Sequence, residues 1–337
     1  MSTCSSVSRD FDEPVSGTAA TATTWLLLEQ PGPWGAKALT SSHLDPALGR
    51  ALEAAAKDTG VRIALIRRPG RHADRRMPAA RRVYAAHVVP GNVWLHSAST
   101  SDPGQLLALD FAALGRGDHR AFDALLGGRP HDGDPLALVC TNGKRDRCCA
   151  LLGRPLAAEL ATSGVEGVWE VTHLGGHRFS PTVLVLPYGY AYGRAEAHSL
   201  KEVLQGAREG RIVVEGCRGS SAWERPGQAA ELAVRTRTGE YDAQALSVVR
   251  TSGAAPRWEV TVVHTDGRRW QVDVAQGAAL PPRPESCGAS VLGSPARTDV
   301  VAVREVRPST APTWPADRPA RVRSVAARPA RTRRVNH

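Results

Sequence analysis

The sequence predicts an α/β protein, and three observations carry that prediction. Short apolar runs bounded by glycine and proline alternate with amphipathic helical stretches, and the rhythm occurs twice along the chain. A 42% apolar fraction over 337 residues supplies two or three ordinary domains with real cores. No apolar run reaches the roughly eighteen residues of a membrane span. The opening MSTCSSVSRDFDEPVSG also lacks the basic and apolar regions of a secretory leader. No membrane association and a cytoplasmic location are therefore expected.

Taken in order, residues 1–20 read as a flexible N-terminus. An α/β unit over 21–130 opens with the strand WLLLEQ (Trp25–Gln30) and the turn-rich PGPWG. It continues through the helix PALGRALEAAAKDTG, the strand VRIALIRRPG, the stretch RRVYAAHVVPGNVWLH and a helix near GQLLALDFAALGRG. A second unit over 131–222 runs from the strand PLALVC and the loop TNGKRDR into the helix CCALLGRPLAAELATSG. GVWEVTHLGGH, SPTVLVLPYGYAYG and a helix near AEAHSLKEVLQGAREG follow. The parallel suggests a degenerate internal repeat, with LLLEQ over LALVC and IRRPGR over THLGGHR. On that overlay Gln30 replaces Cys140, while Arg67 and Arg71 replace His173 and His177, so the first copy keeps the scaffold without the ligands. Residues 223–290 read as a small α+β module, with Asp266-Gly267 as a hairpin turn. Residues 291–337 read as a disordered Arg/Pro-rich tail.

The net charge of +10 suggests nucleic acid only until it is mapped. Ten arginines and three acids lie from Arg297 onward, leaving +3 on the rest. Nucleic-acid binding is therefore not expected except through the basic tail. RRPGRHADRR, beginning at Arg67, is a second basic stretch that could grip an anion.

The chemistry concentrates at four residues. Strand PLALVC would deliver Cys140 to the carboxyl edge of a sheet, where open α/β folds place their sites. Cys149 stands at the start of a helix, whose dipole favours thiolate over thiol. His173 and His177 flank Gly175-Gly176, which lets the chain bend both rings toward one point. Three fillings compete for such a site. Zinc accepts Cys₂His₂, and H-x₃-H is a zinc spacing, but C-x₈-C is not. A [2Fe–2S] cluster tolerates two histidines on one iron, as Rieske centres show, although their C-x-H spacing is absent here. The third filling is no metal, with the thiols as small buried apolar groups. Cys148 is an alternative ligand to Cys149; Cys217 and Cys287 read as structural, and Cys4 as idle.

CTNGKRDRCCALLG followed by HLGGHRFSPTVLVLPYG resembles the sucrase/ferredoxin-like family, whose members resemble thioredoxin-like [2Fe–2S] ferredoxins. WLLLEQPGPWG, RIALIRRPGR and CRGSS extend the resemblance over Trp25 to Gly219. In fungal members, C-x₈-C with H-x₃-H binds a [2Fe–2S] cluster. The resemblance therefore implies Cys140, Cys149, His173 and His177 as cluster ligands in a thioredoxin-like ferredoxin domain. Members commonly carry glycine after the second ligand cysteine, where this chain has Ala150. The sucrase label finds no support, because no acidic pair stands where glycoside hydrolysis needs one and Asp146 sits alone among arginines.

An electron carrier is expected rather than an enzyme with its own substrate, coupling electron to proton transfer through the free imidazole nitrogens. Its partner is a redox protein, with a flavin-dependent reductase as the donor class. Arg145, Arg147 and Arg178 beside the ligands could dock an acidic partner or stabilise the reduced cluster, or be ordinary loop arginines. The alternatives are a non-catalytic, zinc-stabilised or metal-free thioredoxin-like binding protein, and a thiol-redox enzyme, for which C-x-x-C is missing.

Overall fold

The computed structural model describes residues 3–70 and 79–306; Arg71, most of RRPGRHADRR and the tail from 307 lie outside them. The elements run α1 (Cys4–Asp10), β1 (Thr24–Glu29), α2 (Pro46–Ala56), β2 (Val61–Arg67), β3 (Arg81–His87), β4 (Trp94–Thr100), α3 (Phe111–Gly115), α4 (Arg120–Leu126) and β5 (Arg129–Pro130). They continue with β6 (Leu136–Cys140), α5 (Arg147–Thr162), β7 (Val168–Val171), β8 (Val183–Leu186), β9 (Tyr190–Tyr192), α6 (Ala197–Arg208), β10 (Cys217–Ser220) and α7 (Arg225–Thr238). Strands β11 (Leu246–Ala254), β12 (Arg257–His264), β13 (Arg269–Ala278) and β14 (Ala296–Val306) complete the order.

Strands β1 to β10 form one mixed sheet in the order β10-β9-β8-β6-β7-β2-β1-β3-β4-β5. This is the α/β architecture the sequence predicts. Quartet β9-β8-β6-β7 has the same order as β4-β3-β1-β2, and the directions match: β6 is parallel to β7 as β1 is to β2, and the remaining pairs are antiparallel. The quartets meet where β2 pairs antiparallel with β7 through Ile66–Val171 and Arg67–Glu170. Face and hydrogen-bond phase match when Leu27 is set on Leu138, because the Gln30 N–H to Ile66 bond then falls on the Thr141 N–H to Val171 bond. The registers then match Ala64 to Trp169 and Ile66 to Val171, so the Ile66–Val171 pair maps onto itself and the seam is symmetric. The same registers place Glu29, not Gln30, on Cys140, and Arg68, not Arg67, on His173, a one-residue slip from the sequence overlay. Arg67 is engaged elsewhere. Its guanidinium donates to Glu170 at 2.9 and 3.0 Å, donates to the Gly32 carbonyl at 2.6 Å and lies over the Trp34 ring.

Period-two alternation splits each central strand between two cores. Trp25, Leu27, Leu138, Cys140 and Trp169 pack on one face across both quartets. Leu26 and Leu28 face the α2 side, and Ala137 and Val139 face the side covered by α5 and α6. His87 is buried at the end of β3 with Nδ1 2.8 Å from Thr24 Oγ1, and burial lowers its pKa to about 4. An unfolded imidazole takes its proton near 6.5, roughly, so the unfolded state binds more protons between those values and stability falls as pH drops through them. His87→Gln is expected to flatten the fall in urea midpoint between pH 7 and 4.5, roughly; a slope unchanged from wild type would contradict this.

Two boundaries differ from those expected from the sequence. From Thr3 onward the described N-terminal residues pack against the body rather than hanging free: Thr3 and Ser6 cap α1 reciprocally, Cys4, Ser5 and Ser8 are buried, and Glu13 accepts from Arg178 and Arg283. Its low hydrophobicity hid it, because polar contacts hold it down. The α+β module extends beyond 290, since β14 pairs along β13 and leaves Val300 and Val303 against its core. Alternation in ARTDVVAVREV was masked by the arginines around it. α7 covers one face of the sheet β11-β12-β13-β14, and Gly267 takes φ +95 in the expected β12–β13 turn. No helix among the described residues is long and apolar enough to cross a membrane.

Candidate metal centre

Strand β6 delivers Cys140 to the face it shares with Leu136 and Leu138. After it, Asn142 accepts from the Arg145 N–H, and Asp146 caps α5 by accepting from the Cys148 N–H at 2.9 Å. The helix presses closely on the strand end, because a Cβ on Gly153 would stand 2.2 Å from the Cys140 carbonyl oxygen. A Cβ on Gly143 would stand 2.6 Å from that of Ala150, so the residue departing from the family pattern fits here against a glycine. This packing brings Cys149 beside Cys140.

The histidines come from the loop after β7. Gly175 and Gly176 adopt φ +84 and +68, a left-handed bend that side chains resist, and His177 opens a single 3₁₀ turn. Two arginines that the sequence alone did not assign to the site hold this loop. Buried Arg218, from the CRGSS stretch, donates to the Gly175 carbonyl at 3.1 Å and to the Thr18 hydroxyl and carbonyl. A Cβ on Gly176 would strike its guanidinium at 2.1 Å. Arg62 donates to the His173 carbonyl at 3.0 Å.

The Sγ atoms of Cys140 and Cys149 and a ring nitrogen of His173 all lie within 4.8 Å of one another. The His177 ring stands 5.5 Å from that of His173, centroid to centroid. His177 Nε2 lies 2.7 Å from the Glu285 carbonyl oxygen. A carbonyl only accepts, so Nε2 carries the hydrogen and Nδ1 keeps a lone pair. That Nδ1, like Nδ1 of His173, is buried with no hydrogen-bond partner among the described residues. Buried polar atoms normally have one. A ring N–H fixed on a backbone carbonyl is also how ligating histidines are oriented. The residues therefore fit a metal group: two thiols, two imidazoles and two orphaned nitrogens, with donor chemistry suited to zinc or to a [2Fe–2S] cluster.

A hydrogen bond links the two thiols. The hydrogen bond from Cys149 holds the Cys140 thiol well below its ordinary range against the cost of burial, with His173 helping; Cys149 is pushed up by that bond and by burial. Burial also lowers the pKa of His177, opposed by Asp146. Burial alone would raise the Asp146 carboxyl, but the N–H groups of Cys287 and Cys148 bring it below its usual value.

Several residues stand elsewhere than the sequence suggested. Cys148 faces away from this trio, with Sγ 3.5 Å from Cys4 and 3.0 Å from Cys287. Cys4 is accordingly buried rather than idle. Asp146 is buried among these thiols, not alone among arginines. Arg178 pairs with Glu13 at 2.8 Å and is largely covered, whereas Lys144, Arg145 and Arg147 are exposed. Cys217 is buried in β10, with its thiol pushed up to about 12 by that burial. A further group, His96, His119 and Asp123, is satisfied internally, since each imidazole Nδ1 meets one Asp123 oxygen at 2.7 or 2.6 Å.

No curated protein and no solved structure matches this chain. The sequence profile described as Sucrase/ferredoxin-like matches residues 15–219, a span holding all four predicted ligands and both arginines that brace their loop. The chain belongs to the sucrase/ferredoxin-like family.

Proposed function

We propose that the protein is an electron carrier holding one [2Fe–2S] cluster through Cys140, Cys149, His173 and His177. The observation that carries this reading is the meeting of Cys140, Cys149 and His173 within 4.8 Å, beside two buried imidazole nitrogens with no partner among the described residues. The βαβ-then-hairpin connectivity of the β9-β8-β6-β7 quartet supports a thioredoxin-like ferredoxin domain.

When bound, such a cluster supplies a one-electron redox couple, and imidazole in place of thiolate raises its potential. The chain does the rest. The N-terminal end of α5 favours ionised thiols, opposed by the nearby Asp146 carboxylate. Arg218 and Arg62 fix the histidine loop, so little moves on electron transfer. The His177 Nε2 proton sits on the Glu285 carbonyl, and the ring is 21% exposed, which allows exchange with solvent. Loss or gain of that proton would couple to the redox change. Exposed Lys144, Arg145 and Arg147, next to exposed Leu151 on α5, suit an acidic redox partner such as a flavin-dependent reductase. Clustered free thiols suit the reducing cytoplasm.

Anaerobically purified protein is expected to be reddish-brown and to contain about two irons and two acid-labile sulfides per chain. A colourless protein carrying zinc at Cys140 and Cys149 would replace this reading with that of a zinc-stabilised binding protein, which the nitrogen and sulfur donor set also permits.

A further inference from the structure

We propose a second metal site, for a structural zinc ion, formed by the thiolates of Cys4, Cys148 and Cys287 and the carboxylate of Asp146. The three Sγ atoms converge from α1, from the first turn of α5 and from the segment before β14, positions separated by well over a hundred residues. Cys4 lies 3.5 Å from Cys148 and 3.6 Å from Cys287, and the latter two lie 3.0 Å apart. A tetrahedral zinc with bonds of about 2.3 Å sets its thiolates roughly 3.8 Å apart, so the trio needs to open by less than about 1 Å. A disulfide would engage two of these thiols at about 2.05 Å and leave the third unused. Convergence of all three is what a cation requires.

Asp146 supplies the fourth donor. Both its oxygens lie 3.9 Å from Cys4 Sγ, and all four donor residues place an atom within 4.8 Å of the others. Its orientation is set by two of the thiol residues themselves, since Oδ1 accepts from the Cys148 N–H and Oδ2 from the Cys287 N–H, each at 2.9 Å. Such carboxylate orientation by backbone donors is the usual support of a metal ligand. Cys4, Cys148 and Asp146 are buried and Cys287 is half-buried. Four protein donors leave no open coordination position, the mark of a structural rather than a catalytic zinc.

The site also braces the first one, a consequence that rests on the electron-carrier reading. Cys148 adjoins Cys149, and Cys287 stands two residues from Glu285, whose carbonyl takes the His177 Nε2 hydrogen. Zinc would thus clip the N-terminal helix and the Glu285 segment against the loop that presents His177.

The test is elemental analysis of the full-length protein, purified without chelator, beside its Cys287→Ser and Cys140→Ala variants. About one zinc per chain is expected in wild type and Cys140→Ala, with loss of that zinc in Cys287→Ser. Zinc that survives Cys287→Ser but leaves with Cys140→Ala would overturn the proposal, as would wild type without zinc or with a Cys148–Cys287 disulfide. Should Cys287→Ser fail to fold, wild type still decides. Chelator treatment is expected to open Cys4, Cys148 and Cys287 together to alkylation, as read by peptide mass spectrometry; alkylation of all three at the same rate without chelator would overturn the site. Iron content tests the first site separately, so either assignment can fail without the other.

Discussion

Cys140→Ala is expected to yield colourless protein with neither iron nor acid-labile sulfide, while its far-ultraviolet circular dichroism stays that of wild type. Cys140 is fully buried against Cys149 at the end of β6, and no other described thiol lies within reach of that position: Cys148 is committed to Cys4 and Cys287. Cys149→Ala should behave the same way, and Cys148→Ala should keep its colour. His173→Cys or His177→Cys offers a thiolate from the same loop, so iron should remain with a lower midpoint potential, because thiolate adds the negative charge that imidazole lacks. A Cys140→Ala protein with a full complement of iron and sulfide would refute the ligand assignment.

Glu170→Ala is expected to cost about 3–5 kcal/mol of stability, the largest loss from any single change at the seam between the quartets. Arg67 and Glu170 are each 3% exposed. Glu170 Oε2 accepts from the Arg67 guanidinium and from Thr141 Oγ1 at 2.8 Å, so one carboxylate joins β2, β7 and the residue after Cys140. Removing it leaves a buried guanidinium without its counter-charge, its desolvation offset only in part by the Gly32 carbonyl and the Trp34 ring. Glu170→Gln keeps an acceptor oxygen and should recover part of the loss. Urea unfolding followed by tryptophan fluorescence measures both, and a change in Glu170→Ala below about 1 kcal/mol would contradict a structural role for the pair.

The strands and helices that position the site were legible because each obeys one local rule. WLLLEQ and LALVC are short buried strands, and the α5 sequence begins at a charged loop with an aspartate cap. The residue types of the candidate site were legible for the same reason: thiols and imidazoles beside glycines are sparse enough to draw notice. What escaped were contacts between distant segments. Nothing in MSTCSS announces that Cys4 meets Cys148 and Cys287, because Cys4 and Cys287 each lack a neighbour at ligand spacing. Arg218 looked like part of a short family stretch, and only the folded chain puts its guanidinium under Gly175 and Gly176. The one-residue slip between Arg67 and His173 has a similar cause: proline and glycine align well as letters, whereas register is fixed by backbone pairing that letters do not record.

If two thiolates and two imidazoles of one chain hold the same cluster, the unpaired electron of its reduced form must sense both rings. Pulsed electron paramagnetic resonance on the dithionite-reduced protein, labelled with ¹⁵N-histidine, reads this directly. A reduced [2Fe–2S] signal coupled strongly to two histidine nitrogens is expected, one coupling lost in His173→Cys and the other in His177→Cys. A signal without histidine nitrogen coupling, or one that both substitutions leave intact, would show that the imidazoles are not ligands.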